Sequence, residues 1–91
     1  MKKNIAIIGA GGFGREKACC LRAINGESPS WNLIGFFDDG VAAGTENEYG
    51  RVLGTVEDLN AWKEPLSVVI AIASPQALER ISGLLDNPLL D

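Results

Sequence analysis

The residues of this chain whose types and spacing first suggest chemistry are three glycines near the N-terminus. Gly9, Gly11 and Gly14 follow the apolar run Ile5 to Ile8 and have the spacing G-x-G-x-x-G. Between a strand and a helix, the first such glycine permits a tight turn, the second lets backbone approach a phosphate, and the third lets the helix pack on the strand. The helix start offers unpaired N–H groups and a partial positive charge. This stretch therefore predicts a nucleotide-type pocket at the carboxyl edge of a parallel sheet.

Two adjacent acids form a second candidate group. Asp38 and Asp39 directly follow the apolar run Trp31 to Phe37 and precede Gly40. Dinucleotide-binding folds place the acid that binds a ribose hydroxyl after the second strand, about 20 residues beyond the glycines. Asp and Gly also favour simple turns for local reasons. From the residues alone, a ribose-binding acid and a plain turn both remain open.

An alternation of strands and helices is expected to position these groups. The order β-α-β-(short β)-α-β-α predicts an α/β fold, a three-layer Rossmann-like parallel sheet with right-handed crossovers. Residues 1–91 are expected to form one domain, truncated at its C-terminal end because another strand would follow the last helix. The predicted elements are a strand at 5–8, a helix at 14–25, strands at 31–37 and 51–54, a short helix from 55 to 62, a strand at 67–73 and a helix starting at Ser74-Pro75.

Burial can be predicted for several of these elements. The unbroken apolar strand at 67–73 is expected beside the first strand in the sheet centre. Residues 41–50 are expected to form an exposed loop, and Thr55 and Asp58 to form a capping box. The predicted core-facing stripes are Ala18, Leu21 and Ile24 in the first helix and Leu78, Ile81 and Leu85 in the last.

Composition narrows the function classes. The chain has 46% hydrophobic residues and a net charge of −4, with eight scattered Lys and Arg, which argues against a nucleic-acid partner. Its apolar runs are too short for a bilayer and no signal peptide precedes Ile5, so a cytoplasmic protein without a membrane partner is expected. No histidine is present, and no metal site is expected. Cys19 and Cys20 are expected to be reduced, with Cys20 half-buried.

Four stretches, in this order, resemble a known family. They are IIGAGGFGRE at 7–16, GFFDD at 35–39, VLGTVEDL at 52–59 and VIAIA at 69–73. Together they resemble the N-terminal domain of bacterial sugar O-acyltransferases of the sialic-acid O-acetyltransferase type. The bacillosamine-pathway N-acetyltransferases, which act on UDP-4-amino-sugars, share this domain.

The resemblance implies an acceptor-binding domain that acts in surface-polysaccharide synthesis. It implies that a UDP-sugar or related acceptor binds here, and that a following left-handed β-helix forms trimers, binds acetyl-CoA and carries the catalytic histidine. This domain is then expected to hold no cofactor and no catalytic residue, and to be inactive alone. Several relatives carry histidine at the position of Phe13 and Gly-Asn at Ala73-Ser74. The substrate-binding residues implied are Gly9, Gly11, Gly12, Phe13, Gly14, Asp38, Asp39, Ala73 and Ser74.

Two other functions fit the same residues. The glycine spacing and the acid after the second strand also fit the NAD(P)-binding domain of an oxidoreductase. A non-enzymatic module that binds a nucleotide or CoA is the third possibility.

Overall fold

The structure, a computed structural model, describes residues 3–27 and 30–90. These residues contain two α-helices, a short 3-10 helix and five strands. In chain order they are β1 (Lys3–Ile8), α1 (Gly12–Glu27), β2 (Trp31–Phe37), β3 (Glu46–Asn47), β4 (Gly50–Gly54), the 3-10 helix (Glu57–Ala61), β5 (Ser67–Ile70) and α2 (Pro75–Leu84). Neither α-helix in these residues is long and apolar enough to cross a membrane.

The five strands form one sheet in the order β3-β4-β2-β1-β5. The neighbours β4–β2, β2–β1 and β1–β5 are parallel, and only the short β3 runs antiparallel to β4. From β1 the chain moves to β2 and β4 on one side, and then to β5 on the other side. The predicted α/β fold with a Rossmann-like parallel sheet is therefore confirmed.

Two apolar clusters, one on each face of the sheet, explain why β1 is an unbroken apolar run. Ile7 packs on one face with Phe36 and with Ala18 of α1. Ile8 packs on the other face with Phe37 and with Ile81 of α2. Because successive side chains of a strand point to opposite faces, a strand covered on both faces needs apolar residues at every position. The helices on opposite faces give the three layers.

Helix α1 is longer than predicted, and a different residue faces the sheet near its C-terminal end. Ala18 is buried, but Ile24, predicted to face the core, is 49% exposed. At 3.6 residues per turn, Ile24 lies about 120° from Ala18, whereas Asn25 lies about 20° from it. Asn25 takes the inner position and binds Trp31, donating to its carbonyl at 2.7 Å and accepting from its N–H at 3.0 Å. Cys20 is also exposed, not half-buried, since it lies about 160° from Ala18.

Strand β5 is shorter than predicted and lies beside β1 at the edge of the described sheet, not at its centre. It ends at Ile70 instead of Ala73, and its four residues are half-buried. The N–H of Ala71 still donates to the carbonyl of Ile8 at 2.8 Å. Beyond that point β1 turns away at Gly9, so β5 loses its partner and its ladder ends.

Helix α2 begins as predicted, with Ser74 as N-cap and Pro75 at its first position. The Ser74 hydroxyl accepts a hydrogen bond from the N–H of Ala77 at 3.4 Å. Ile81 is 1% exposed, but Leu78, predicted to be buried, is 40% exposed. Leu78 lies in the first turn of α2, at the carboxyl edge where the strands have ended, so little of the sheet is there to cover it.

The segment from Val41 to Gly50 is largely exposed, as predicted, but it contains β3 and is attached to α1. Arg22 donates to the carbonyl of Glu48 at 3.2 Å, and its guanidinium lies 4.5 Å from the ring centroid of Tyr49. A hydrogen bond with Cys19 raises the pKa of Tyr49. These contacts connect the turn between β3 and β4 to α1.

The predicted capping box at Thr55 and Asp58 forms only in part. The Asp58 carboxylate accepts a hydrogen bond from the N–H of Thr55 at 2.8 Å. The reciprocal bond, in which the Thr55 hydroxyl would accept from the N–H of Asp58, is absent among the described residues. That N–H donates to the Thr55 carbonyl instead, at 3.1 Å. This geometry belongs to the 3-10 helix that replaces the predicted short α-helix.

Candidate functional site

The turn after β1 requires glycine at position 9. Gly9 has φ +108°, a conformation that residues with a side chain rarely adopt. A Cβ at this position would lie 2.7 Å from the carbonyl oxygen of Ala71, just after β5. The Gly9 N–H donates to the carbonyl of Phe37 at 2.8 Å, at the end of β2. The first glycine therefore lets the chain turn where the ends of β1, β2 and β5 come together.

The other glycines of the turn divide into a packed position and two open positions. A Cβ at Gly14, which is buried, would overlap the carbonyl of Gly9. At Gly11 and Gly12, which are exposed, a Cβ would meet no described atom within 4 Å. The third glycine of the spacing thus allows α1 to pack on the turn, and the second leaves the main chain accessible to a ligand.

The start of α1 lies at this accessible surface. Its first i→i−4 hydrogen bond runs from the N–H of Arg15 to the carbonyl of Gly11 at 3.0 Å. The N–H groups of Gly12, Phe13 and Gly14 precede that bond, and the geometry of a helix leaves them without an intrahelical acceptor. Phe13 does not fill the turn, because its side chain is 41% exposed and its ring centroid lies 5.1 Å from Nζ of Lys17.

Asp38 connects the glycine turn to the loop after β2. One of its carboxylate oxygens accepts from the N–H of Ala10 at 2.8 Å, and the other accepts from the N–H of Gly40 at 2.7 Å. Asp39 points elsewhere: its Oδ1 accepts from the N–H of Val56 at 2.9 Å. Of the two adjacent acids, Asp38 is therefore the one that faces the glycine turn.

A crevice of about 150 Å³ opens on the α2 face of the sheet, at the carboxyl ends of β1 and β2. The strand order reverses between β1 and β5, and in open parallel α/β sheets ligands bind at such a switch point. Ends of strands, the acid pair and α2 line the crevice. The lining residues are Ile8, Gly9, Phe37, Asp38, Asp39, Gly40, Val56, Ile72, Arg80 and Ile81.

An open groove of about 640 Å³ adjoins the crevice and shares Asp39 and Arg80 with it. The groove runs between α2 and the start of the 3-10 helix. Its other lining residues are Thr55, Glu57, Gly83 and Leu84. The crevice and the groove therefore meet at Asp39 and Arg80, and their combined lining extends from Gly9 to Leu84 of α2.

Of the residues predicted for the site, three line the crevice: Gly9, Asp38 and Asp39. The exposed residues Gly11, Gly12 and Phe13 lie farther along the same turn, and Gly14 is buried beneath it. Ala73 and Ser74 are exposed and do not line the crevice. Since β5 ends at Ile70 and Ser74 caps α2, the neighbouring Ile72 is the residue that lines it. The binding roles of all nine residues remain predictions.

Sequence reasoning missed Arg80. Its position next to the core residue Ile81 places it where α2 meets the carboxyl edge of the sheet. The signal was present in the sequence, because Arg80 is the only basic residue of α2. A helical pattern alone assigns such a residue to the solvent side.

Comparison with known protein families identifies the family of this chain. Comparison with curated proteins finds none that matches. A family model described as the PglD N-terminal domain matches residues 4–84. This span holds the glycine turn, the acid pair and Arg80, and it confirms the resemblance seen in the sequence. The chain therefore belongs to the PglD N-terminal domain family, the N-terminal domains of PglD-type bacillosamine acetyltransferases.

Proposed function

We propose that this chain is the acceptor-binding domain of an acetyl-CoA-dependent sugar acetyltransferase, and that its acceptor is a UDP-sugar. The observation that carries the proposal is the crevice at the switch point of the sheet, bordered by a glycine turn whose main chain is accessible. Membership of the PglD N-terminal domain family supports the reaction class.

In this proposal the accessible main chain and the acids bind different parts of the acceptor. The N–H groups of the exposed residues Gly12 and Phe13 have no intrahelical acceptor at the start of α1 and suit a phosphate oxygen. The carboxylates of Asp38 and Asp39 suit ribose or sugar hydroxyl groups. A carboxylate has about four acceptor positions, so Asp38 can accept a hydroxyl while it keeps its bonds to Ala10 and Gly40.

The proposed reaction is attack of a sugar amine or hydroxyl on the carbonyl carbon of the acetyl thioester. It would form an amide or ester, break the C–S bond and release CoA as the thiol, which takes up the proton that the sugar group loses. Acetyl-CoA and the general base would come from a separate left-handed β-helix domain, which would also assemble the whole cytoplasmic enzyme as a trimer. The described residues of this chain are assigned only the binding and orientation of the acceptor. No histidine is available here to serve as the base.

A specific observation also favours the alternative function, an NAD(P)-binding domain of an oxidoreductase. Gly9, Gly11 and Gly14 adopt the geometry of a dinucleotide-binding turn, and Asp38 lies at the end of β2 beside it. This arrangement also suits the ribose of NAD(P). A ligand comparison therefore has to include nicotinamide nucleotides and CoA.

The test is a thermal-denaturation comparison of the chain with UDP, a UDP-4-amino-sugar, NADH, NADPH and CoA. A ligand at 100 times its Kd stabilises the folded state by about 2.7 kcal/mol. For a domain of 60–100 residues this corresponds to a Tm increase of about 10–20 °C. We expect this increase with UDP and the UDP-sugar only. An increase with NADH or NADPH but not with UDP would favour the oxidoreductase alternative, and an increase with CoA alone would favour a CoA-binding module.

A further inference from the structure

Arg80 lies where the crevice meets the groove, and its charge has no partner among the residues that the structure describes. It lines both cavities. Within residues 3–27 and 30–90 it forms no hydrogen bond or ion pair. The acids around it, Asp38, Asp39 and Glu57, also line these cavities, and Arg80 is the only basic residue among the described residues that do so.

The position of Arg80 is set by the core contact of its neighbour. Ile81 is 1% exposed and packs in the cluster that contains Ile8 and Phe37, so α2 is held at this point against the ends of β1 and β2. Asp39, across the cavity, is held by its hydrogen bond to Val56. The guanidinium is therefore attached to a fixed element and remains available to a ligand.

A ligand that carries a diphosphate needs a positive charge in this site. The carboxylates of Asp38, Asp39 and Glu57 would repel phosphate oxygens, since like charges at short range disfavour one another. The planar guanidinium of arginine can bind two phosphate oxygens through parallel N–H groups. Arg80 is thus the residue able to offset the acids.

The sizes of the two cavities indicate how such a ligand would lie. The crevice of about 150 Å³ is smaller than the roughly 300–1,000 Å³ typical of small-molecule sites, whereas the groove of about 640 Å³ falls within that range. A nucleotide-sugar would therefore occupy both cavities and pass Arg80, which borders each of them.

We propose that Arg80 binds the diphosphate of the acceptor, and that the acceptor extends from the crevice into the groove along α2. This inference rests on the proposed function, because it needs a nucleotide-sugar in the crevice. It places a full positive charge on α2, in addition to the partial positive charge at the start of α1.

The experiment compares Arg80→Gln with the matched variant Arg51→Gln, whose exposed arginine lies on β4 outside both cavities. Binding of UDP is measured by calorimetry, and binding of uridine, which lacks phosphates, by NMR titration. Loss of one charge-assisted contact should raise the Kd for UDP about 10- to 100-fold in Arg80→Gln. The Kd for uridine should not change, and Arg51→Gln should match the wild-type chain for both ligands.

Two outcomes would overturn the inference while leaving the proposed function in place. One is a wild-type chain that binds UDP, together with an Arg80→Gln variant that binds it equally well. The other is an equal loss of UDP and uridine affinity in Arg80→Gln, which would indicate a structural role. Failure of the wild-type chain itself to bind UDP would contradict the proposed function, and this inference with it. Arg80→Lys, which keeps the charge without the planar fork, should give an intermediate Kd for UDP.

Discussion

Asp38 and Asp39 are adjacent acids that the structure uses differently, and asparagine at each position separates their roles. Asp38 accepts hydrogen bonds with both carboxylate oxygens, from Ala10 at 2.8 Å and from Gly40 at 2.7 Å. Within the described part of the chain, Asp39 accepts with one oxygen only, from Val56 at 2.9 Å. Asparagine has one side-chain oxygen, so Asp38→Asn must lose one of two bonds, whereas Asp39→Asn can keep its single bond.

The expected cost follows from the strength of such bonds. A hydrogen bond to a charged group contributes about 1.5–3 kcal/mol and a neutral one about 0.5–1.5 kcal/mol. Asp38→Asn loses one charge-assisted bond, and in place of that acceptor it presents an NH₂ group to an N–H. The remaining bond also changes from charged to neutral, so we expect the free energy of unfolding to fall by about 2.5–4 kcal/mol in total. Asp39→Asn keeps its bond but changes it from a charged to a neutral one, so it should lose about 1 kcal/mol.

Thermal denaturation followed by circular dichroism measures the difference. At about 4–8 °C per kcal/mol for a domain of this size, Asp38→Asn should lower the Tm by at least about 10 °C and Asp39→Asn by about 4–8 °C. Urea denaturation with an unchanged m-value would show that both variants unfold from the same compact state. An Asp39→Asn variant that is destabilised as much as Asp38→Asn would refute the assignment of Asp38 to the glycine turn.

Three further predictions concern packing, and denaturation with urea checks each of them. Gly14→Ala should lower the free energy of unfolding by about 1–3 kcal/mol, because its Cβ would overlap the carbonyl of Gly9. The exposed control Gly12→Ala should leave the free energy of unfolding nearly unchanged. Equal losses in the two variants would contradict the packing of α1 on the glycine turn. Ile81→Ala should lower the free energy of unfolding by about 2–5 kcal/mol, whereas Leu78→Ala, at 40% exposure, should lower it by about 1 kcal/mol or less. The reverse order would contradict the orientation of α2 on the sheet. Ile70 is half-buried in β5, so Ile70→Ala should lower the free energy of unfolding by an intermediate amount, about 1–2 kcal/mol. A loss as large as that of Ile81→Ala would contradict the position of β5 at the edge of the sheet.

The sequence predicts the fold well where local chemistry and tertiary packing agree. The apolar run of β1 and the Ser74-Pro75 helix start are visible because each residue type suits only a few backbone positions. The predicted burial of Ile24 and Leu78 was wrong, because helical spacing does not show where the sheet ends or which side chain contacts the next strand. The length of β5 depends on the turn of β1 at Gly9, which no feature of β5 itself reveals.

The candidate site was predictable only in part, for a similar reason. The glycine spacing and the acids directly follow strands, so their place at the carboxyl edge follows from a parallel sheet. Sequence could not decide between Asp38 and Asp39, because the choice depends on which carboxylate reaches Ala10. Arg80 lies on an element far along the chain, and only the packing of Ile81 brings it to the crevice.

The most direct test of the central claim is the affinity for UDP of the wild-type chain, of Gly11→Val and of Gly26→Val. Both glycines are exposed, and a Cβ at either would meet no described atom within 4 Å, but only Gly11 lies in the turn beside the crevice. Calorimetry should show UDP binding to the wild-type chain and to Gly26→Val, and a loss of at least about tenfold in Gly11→Val, which corresponds to about 1.4 kcal/mol. Equal UDP affinity in all three proteins would contradict the account, since a ligand phosphate would then not approach the main chain at the glycine turn.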